Sequence, residues 1–141
     1  MDGARFTRVV DVRYGECDQQ GVVFNANYWA YVDDAMDHWM RSLPDSGWVG
    51  AWDVMLKTAV ITWHGPARWT EQIAVDCGVS RFGSSSFDAV FELRVGRRPV
   101  ADVVITYVSV APDTQEPTPT PPDVVAALGP EVTRPASLPP R

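Results

Sequence analysis

Tyr14-Gly15-Glu16-Cys17-Asp18-Gln19-Gln20-Gly21-Val22-Val23-Phe24-Asn25-Ala26-Asn27-Tyr28 joins a stretch of strand character to a stretch of helix character, and the order of elements around it decides the fold. Downstream, Asn27 to Leu43 places Trp29, Val32, Met36, Trp39, Met40 and Leu43 on one face at three- and four-residue spacing, which predicts one long amphipathic helix. Asp37 with Arg41 and Asp34 with His38 are set one turn apart for exposed pairs on its other side. Asn25 or Asn27 can cap its start, and Pro44 with Gly47 marks its end.

Upstream and further on, the chain reads as strand: Phe6 to Tyr14, Val54 to His64, Glu71 to Arg81, Ser86 to Val95 and Val100 to Ala111. The fourth alternates Phe87, Ala89, Phe91, Leu93 and Val95 with Asp88, Glu92 and Arg94, so it has one buried and one wet face. The fifth is apolar on both faces, which calls for cover on both sides or a central place in the sheet. Strand, helix, then four strands make an α+β domain, a curved five-stranded antiparallel sheet wrapped around one helix. Such a helix leaves the outer face of the sheet bare unless something else covers it.

A chain of 141 residues is long enough for one ordinary core. Nine of its twelve prolines lie from Pro112 onward, which divides it into a domain over 1–112 and a proline-rich tail over 113–141. Within the tail Pro122 to Leu128 reads as a short helix opened by proline and closed by Gly129. The last stretch, Pro130 to Arg141, has few large apolar residues and is expected to stay unordered.

The net charge of −6, with one lysine and scattered arginines, argues against a nucleic-acid partner. No run is long enough for a membrane helix, and the start carries Asp2, Arg5 and Arg8 where a secretory signal would be apolar. Two cysteines make no disulfide framework, so a cytoplasmic location is expected. No metal-ligand spacing occurs, and no metal or cofactor is expected.

The quoted loop holds a carboxylate, Asp18, just ahead of a helix N-terminus, where free amides and the positive end of the dipole suit an oxyanion. An aspartate in a turn also serves simply to hydrogen-bond its own backbone. Apolar Val22, Val23 and Phe24 directly behind it point to a loop pressed on the core or on a substrate. Cys17 with His38 or His64 makes no recognised nucleophile spacing, and His64 reads as a strand-end residue.

Tyr14, Asp18, Gly21, Val23, Phe24 and Tyr28, in the pattern Tyr-x3-Asp-x2-Gly-x-Val-Phe-x3-Tyr, resemble the signature of the 4-hydroxybenzoyl-coenzyme A thioesterase family. Gly65-Pro66-Ala67-Arg68 followed by Glu71 is similar to a second element of that family, and Phe82-Gly83 with Ser85-Ser86-Phe87 matches a later turn. The resemblance, over roughly residues 5–112, implies a hotdog fold and an acyl-CoA thioesterase that is a homodimer or homotetramer with sites between subunits. It implies Asp18 as nucleophile or base and the backbone amide near Asn25 as the group polarising the thioester carbonyl. Substrate-lining positions carried over are Gly21, Val23, Phe24, Tyr28, Arg81, Ser85 and Ser86. Where some relatives have several basic residues, this chain has Arg81, Phe82, Gly83 and three serines, so Arg97 and Arg98 are a second candidate for the coenzyme phosphates. Another branch of hotdog thioesterases takes its carboxylate from the helix, which makes Asp33 or Asp34 the reserve. An acyl-carrier-protein thioesterase, or a non-catalytic acyl-thioester binding module, are the alternatives on this fold.

Overall fold

A computed structural model describes residues 1–44 and 52–141. Five strands form one antiparallel sheet: β1 (Phe6–Asp11), β2 (Asp53–Trp63), β3 (Gln72–Phe82), β4 (Ser86–Val95) and β5 (Arg98–Val110), in the order β1-β3-β4-β5-β2. Between β1 and β2 lies helix α1 (Asn27–Ser42), and after β5 the short helix α2 (Pro122–Leu128). β1 stops at Asp11 rather than Tyr14, because Tyr14–Glu16 closes a 3-10 turn. Gly47 lies outside the described residues.

The helix periodicity is real: Tyr28, Tyr31, Val32, Ala35, Met36 and Trp39 are buried in one cluster with Ile73, Val75, Phe87, Phe91, Val103 and Ile105 of the sheet. Neither asparagine caps α1. Ala26 occupies the cap position without a side-chain bond, and the Asn27 amide group instead donates to the Glu16 carbonyl (2.8 Å), tying the helix start to the loop before it. Arg41 pairs with Asp37 at 3.0 Å, as the one-turn spacing requires.

The apolar second face of β5 is covered by the chain itself. Val90 and Val104 are buried with Leu138, and Val60 and Val132 pack beside them. The Val132 amide donates to the Val79 carbonyl (2.9 Å), and Phe82 N–H donates to Glu131 (3.1 Å). Asp88, 1 % exposed, accepts from Arg81, Thr106 and Arg141, and Arg134 lies 3.7 Å from it. The expectation of an unordered terminal stretch therefore fails. Apolar content understates a segment whose prolines have little backbone freedom to lose and whose arginines meet a buried carboxylate.

Among the described residues the edge strand β2 pairs only with β5, and it leaves Met55, Leu56 and Trp63 47 %, 56 % and 46 % exposed. A bulge at Lys57 interrupts its register between Leu56 and Thr58. No helix among the described residues is long and apolar enough to cross a membrane.

Candidate active site

The loop after β1 is built from its own turns and then stapled to the strand β2–β3 connection. Glu16 accepts from the Arg13 amide (2.8 Å) and from the Tyr31 hydroxyl (3.0 Å), joining the 3-10 turn to α1. Burial and the bond to Glu16 push the Tyr31 phenol up, so it stays a donor. Asp18 then reverses the chain: its amide donates to the Val22 carbonyl (2.9 Å), its carbonyl accepts from Gly21 (3.0 Å), and its Oδ1 accepts from the Gln20 amide (2.8 Å). Gly21 sits at φ +73, the left-handed conformation that glycine adopts without strain.

The two motif segments meet. Val23 donates to the Ala67 carbonyl (2.9 Å), Val22 forms a bridge with Arg68, and the buried Tyr28 hydroxyl accepts from the Ala67 amide (3.1 Å). Arg98 holds the second segment from the other side, donating to the Pro66 carbonyl and to Glu71.

Of the depressions that open on this assembly, two reach Asp18 or Asn25. One, of about 280 Å³, is lined by Tyr14, Gly15, Cys17, Asp18, Gln19, Gly21 and Trp69. Tyr14 and Trp69, 75 % and 51 % exposed, meet edge to face at 5.4 Å beside the carboxylate. The other, of about 440 Å³, is lined by Val23, Asn25, Tyr28, Trp63, His64, Gly65 and Pro66. The loop connects them, giving Gly21 to the first and Val23 with Asn25 to the second. Among the described residues the Asn25 amide has no acceptor, and it stands one residue before the helix cap Ala26.

Asp18 and Asn25 thus share a loop but open on different depressions within one chain. Val23 and Tyr28 line the cavity with Asn25, and Gly21 lines the one with Asp18, whereas exposed Phe24 lines neither. Arg81, Ser85 and Ser86 are not brought to either depression. The Arg81 guanidinium bonds to Asp88 (3.2 Å) and to the Ser86 hydroxyl (3.0 Å), and the Ser85 carbonyl accepts from the Ser109 amide (2.7 Å). Asp34 is paired with Arg8 at 3.0 Å, and Asp33 is exposed.

Cys17 lies beside Asp18, but burial, then the charges of Glu16 and Asp18, push its thiol up, opposite to what a nucleophile requires. Among the described residues no group of three His, Cys, Asp or Glu is arranged to hold a metal ion. His64 and Trp69 were missed as lining residues. Each flanks the Gly65-Pro66-Ala67-Arg68 segment, and that adjacency was the available signal.

The profile of the thioesterase-like superfamily matches residues 12–128, well over half the chain. No curated protein sequence matches. Among solved structures, a 1,4-dihydroxy-2-naphthoyl-CoA thioesterase from Synechocystis superposes with TM-score 0.74 at 21 % identity, over 87 % of this chain and 94 % of that one. YbaW of Escherichia coli, described as a probable thioesterase, gives TM-score 0.78 at 17 % identity, over 86 % and 95 %. A hypothetical protein from Aquifex aeolicus gives 0.78 at 20 %, over 88 % and 99 %. At these identities the likeness shows the fold, a five-stranded antiparallel sheet with few helices.

Proposed function

The chain belongs to the thioesterase-like superfamily, and from that premise we propose that it hydrolyses the thioester of an acyl-CoA to a free acid and coenzyme A. The observation that carries this is the stapled loop, which holds the Asp18 carboxylate on a rigid turn and ends on an Asn25 amide with no acceptor among the described residues. That amide, with the positive end of α1 behind it, suits the negative charge that grows on the carbonyl oxygen as the carbon becomes tetrahedral. Asp18 attacks the carbonyl carbon or takes the proton of an attacking water.

The finer picture is a hotdog domain whose sheet curves around α1. The open, half-apolar edge of β2 supports a dimer in which two sheets join side by side, and the two depressions flanking the loop would be completed there. Residues 1–112 would carry the groups that touch the substrate, with the later residues docked on them. Free Cys17 and Cys77 suit a reducing, cytoplasmic setting. Arg97, exposed and without a charge partner among the described residues, is better placed for a coenzyme phosphate than the engaged Arg81.

Asp18→Asn keeps the turn bond from Gln20 and removes the charge. Thiol release from acyl-CoA esters should fall about a hundredfold to ten-thousandfold, with the melting temperature unchanged, while Asp33→Asn and Asp34→Asn cost little. Near wild-type turnover by Asp18→Asn would remove this assignment.

A further inference from the structure

His64, at the end of β2, lines the same cavity as Asn25 and Tyr28, and its ring is held by a charge. Nε2 lies 2.8 Å from Asp102 Oδ2 on β5, and the two side chains are only 30 % and 15 % exposed. The same carboxylate oxygen accepts from the Ser137 hydroxyl at 2.6 Å. Ser137 is itself fixed, its carbonyl accepting from Thr62 (3.2 Å), within the terminal segment that Val132 and Leu138 seat on the sheet.

A carboxylate partner is acceptor-only, so Nε2 carries the hydrogen and Nδ1 keeps its lone pair. Among the described residues Nδ1 has no partner. We propose that His64 carries the proton of the hydrolytic water, that Asp102 holds its ring, and that Ser137 is a positioning residue contributed by the terminal segment. This rests on the thioester reading above, with Asp18 as the nucleophile and the two depressions that flank the loop opening on one acyl group.

An Asp18 oxygen bonds to the thioester carbonyl carbon, and the C–S bond breaks with its electron pair leaving on sulfur. A water oxygen then bonds to the acyl carbon of the resulting anhydride as the water's proton moves to Nδ1. The anhydride C–O pair returns to Asp18, and the proton passes from Nδ1 to the thiolate, leaving a free acid and a thiol.

The groups around the ring come from several elements: Tyr28 from α1, Asp102 from β5, and Glu92, Arg94 and Arg97 from β4 and its turn. Arg94 is already bonded to Asp76, which leaves Asp102 as the direct partner.

The test is thiol release by the full chain from acetyl-CoA through palmitoyl-CoA and benzoyl-CoA, followed through the first turnover. His64→Gln should release one thiol per site rapidly and then turn over about a hundredfold more slowly. The acyl group should be found on Asp18 by peptide mass, and the acid limb of the pH profile should vanish. Asp102→Asn should move that limb, and Ser137→Ala should lower kcat several-fold with KM unchanged. A His64→Gln enzyme at the wild-type rate, or a slow one with no burst and the acid limb intact, overturns the proposal. Should His64→Gln fail to fold by circular dichroism, Asp102→Asn decides, and an unmoved limb overturns it. An inactive Asp18→Asn beside a normal His64→Gln would sink this inference alone. An active Asp18→Asn, or a wild type that turns over no acyl-CoA, would remove the reading beneath it.

Discussion

On one face of the sheet, Ile73, Val75, Phe87 and Phe91 pack under the apolar stripe of a sixteen-residue helix. On the other, Val90 and Val104 meet Leu138 and Val132 from a segment with no regular structure, which also brings arginines to the buried carboxylate of Asp88. The helix side is held by area removed from water, spread over many side chains. The terminal segment has few such contacts. It is seated by one buried leucine, a few backbone and side-chain hydrogen bonds and the Asp88 pairs, with four prolines in its last twelve residues limiting what ordering costs.

The largest difference should come from truncating one anchor on each side. Trp39→Ala empties a fully enclosed site and should lower the unfolding free energy by about 3–5 kcal/mol in denaturant titration. A chain ending at Gly129 loses Leu138, Val132 and two of the arginines and should lose about 2 kcal/mol, mostly the burial of the leucine. Equal losses from the two changes would erase the distinction between the faces.

Acid should sharpen it further, with a smaller effect. Burial alone would push the Asp88 carboxyl up, but the bonds from Arg81, Thr106 and Arg141 outweigh it and hold the group below its ordinary value. A folded value below the unfolded one stabilises the protein at pH above the ordinary carboxylate range, and that stabilisation is lost as pH falls through the folded value. The chain ending at Gly129 lacks Arg141, so its Asp88 has less to lose. Its unfolding free energy should decline less steeply with acid than that of the full chain, and parallel declines would show that the terminal arginines do not reach Asp88 in solution.

The unequal physics also explains what was legible. The inner face was written in periodicity: the three- and four-residue spacing of Val32, Met36 and Trp39, and the alternation of Phe87, Ala89 and Phe91, survive intact in the fold. The doubly apolar β5 announced that its second face needed cover, but nothing periodic named Val132 and Leu138 as the cover. Loop and connection were legible as motifs. Their depressions were not, because His64 and Trp69 enter them through the pairing of Val23 with Ala67 and of Val22 with Arg68. Asp102 lies far along the chain from His64, and only the β2–β5 ladder brings the two together.

The smallest effect is the most diagnostic, because its sign should invert. Gly78 is buried on β3, and a methyl group added there would stand 2.6 and 3.0 Å from the two methyls of Val132, closer than such contacts allow. With the terminal segment in place, Gly78→Ala should therefore be neutral to destabilising, since Val132 must shift and take its bond to Val79 with it. Once the segment is gone, that obstacle is gone. Alanine then has only its lower backbone entropy in the unfolded chain to contribute, and in a strand interior it should stabilise by about 0.5–1 kcal/mol over glycine. The four proteins of this cycle, compared by denaturant midpoint, isolate the coupling between position 78 and the terminal segment from anything either change does alone. Alanine stabilising both chains alike would mean that Val132 does not sit over Gly78, and the outer face would then need a different cover.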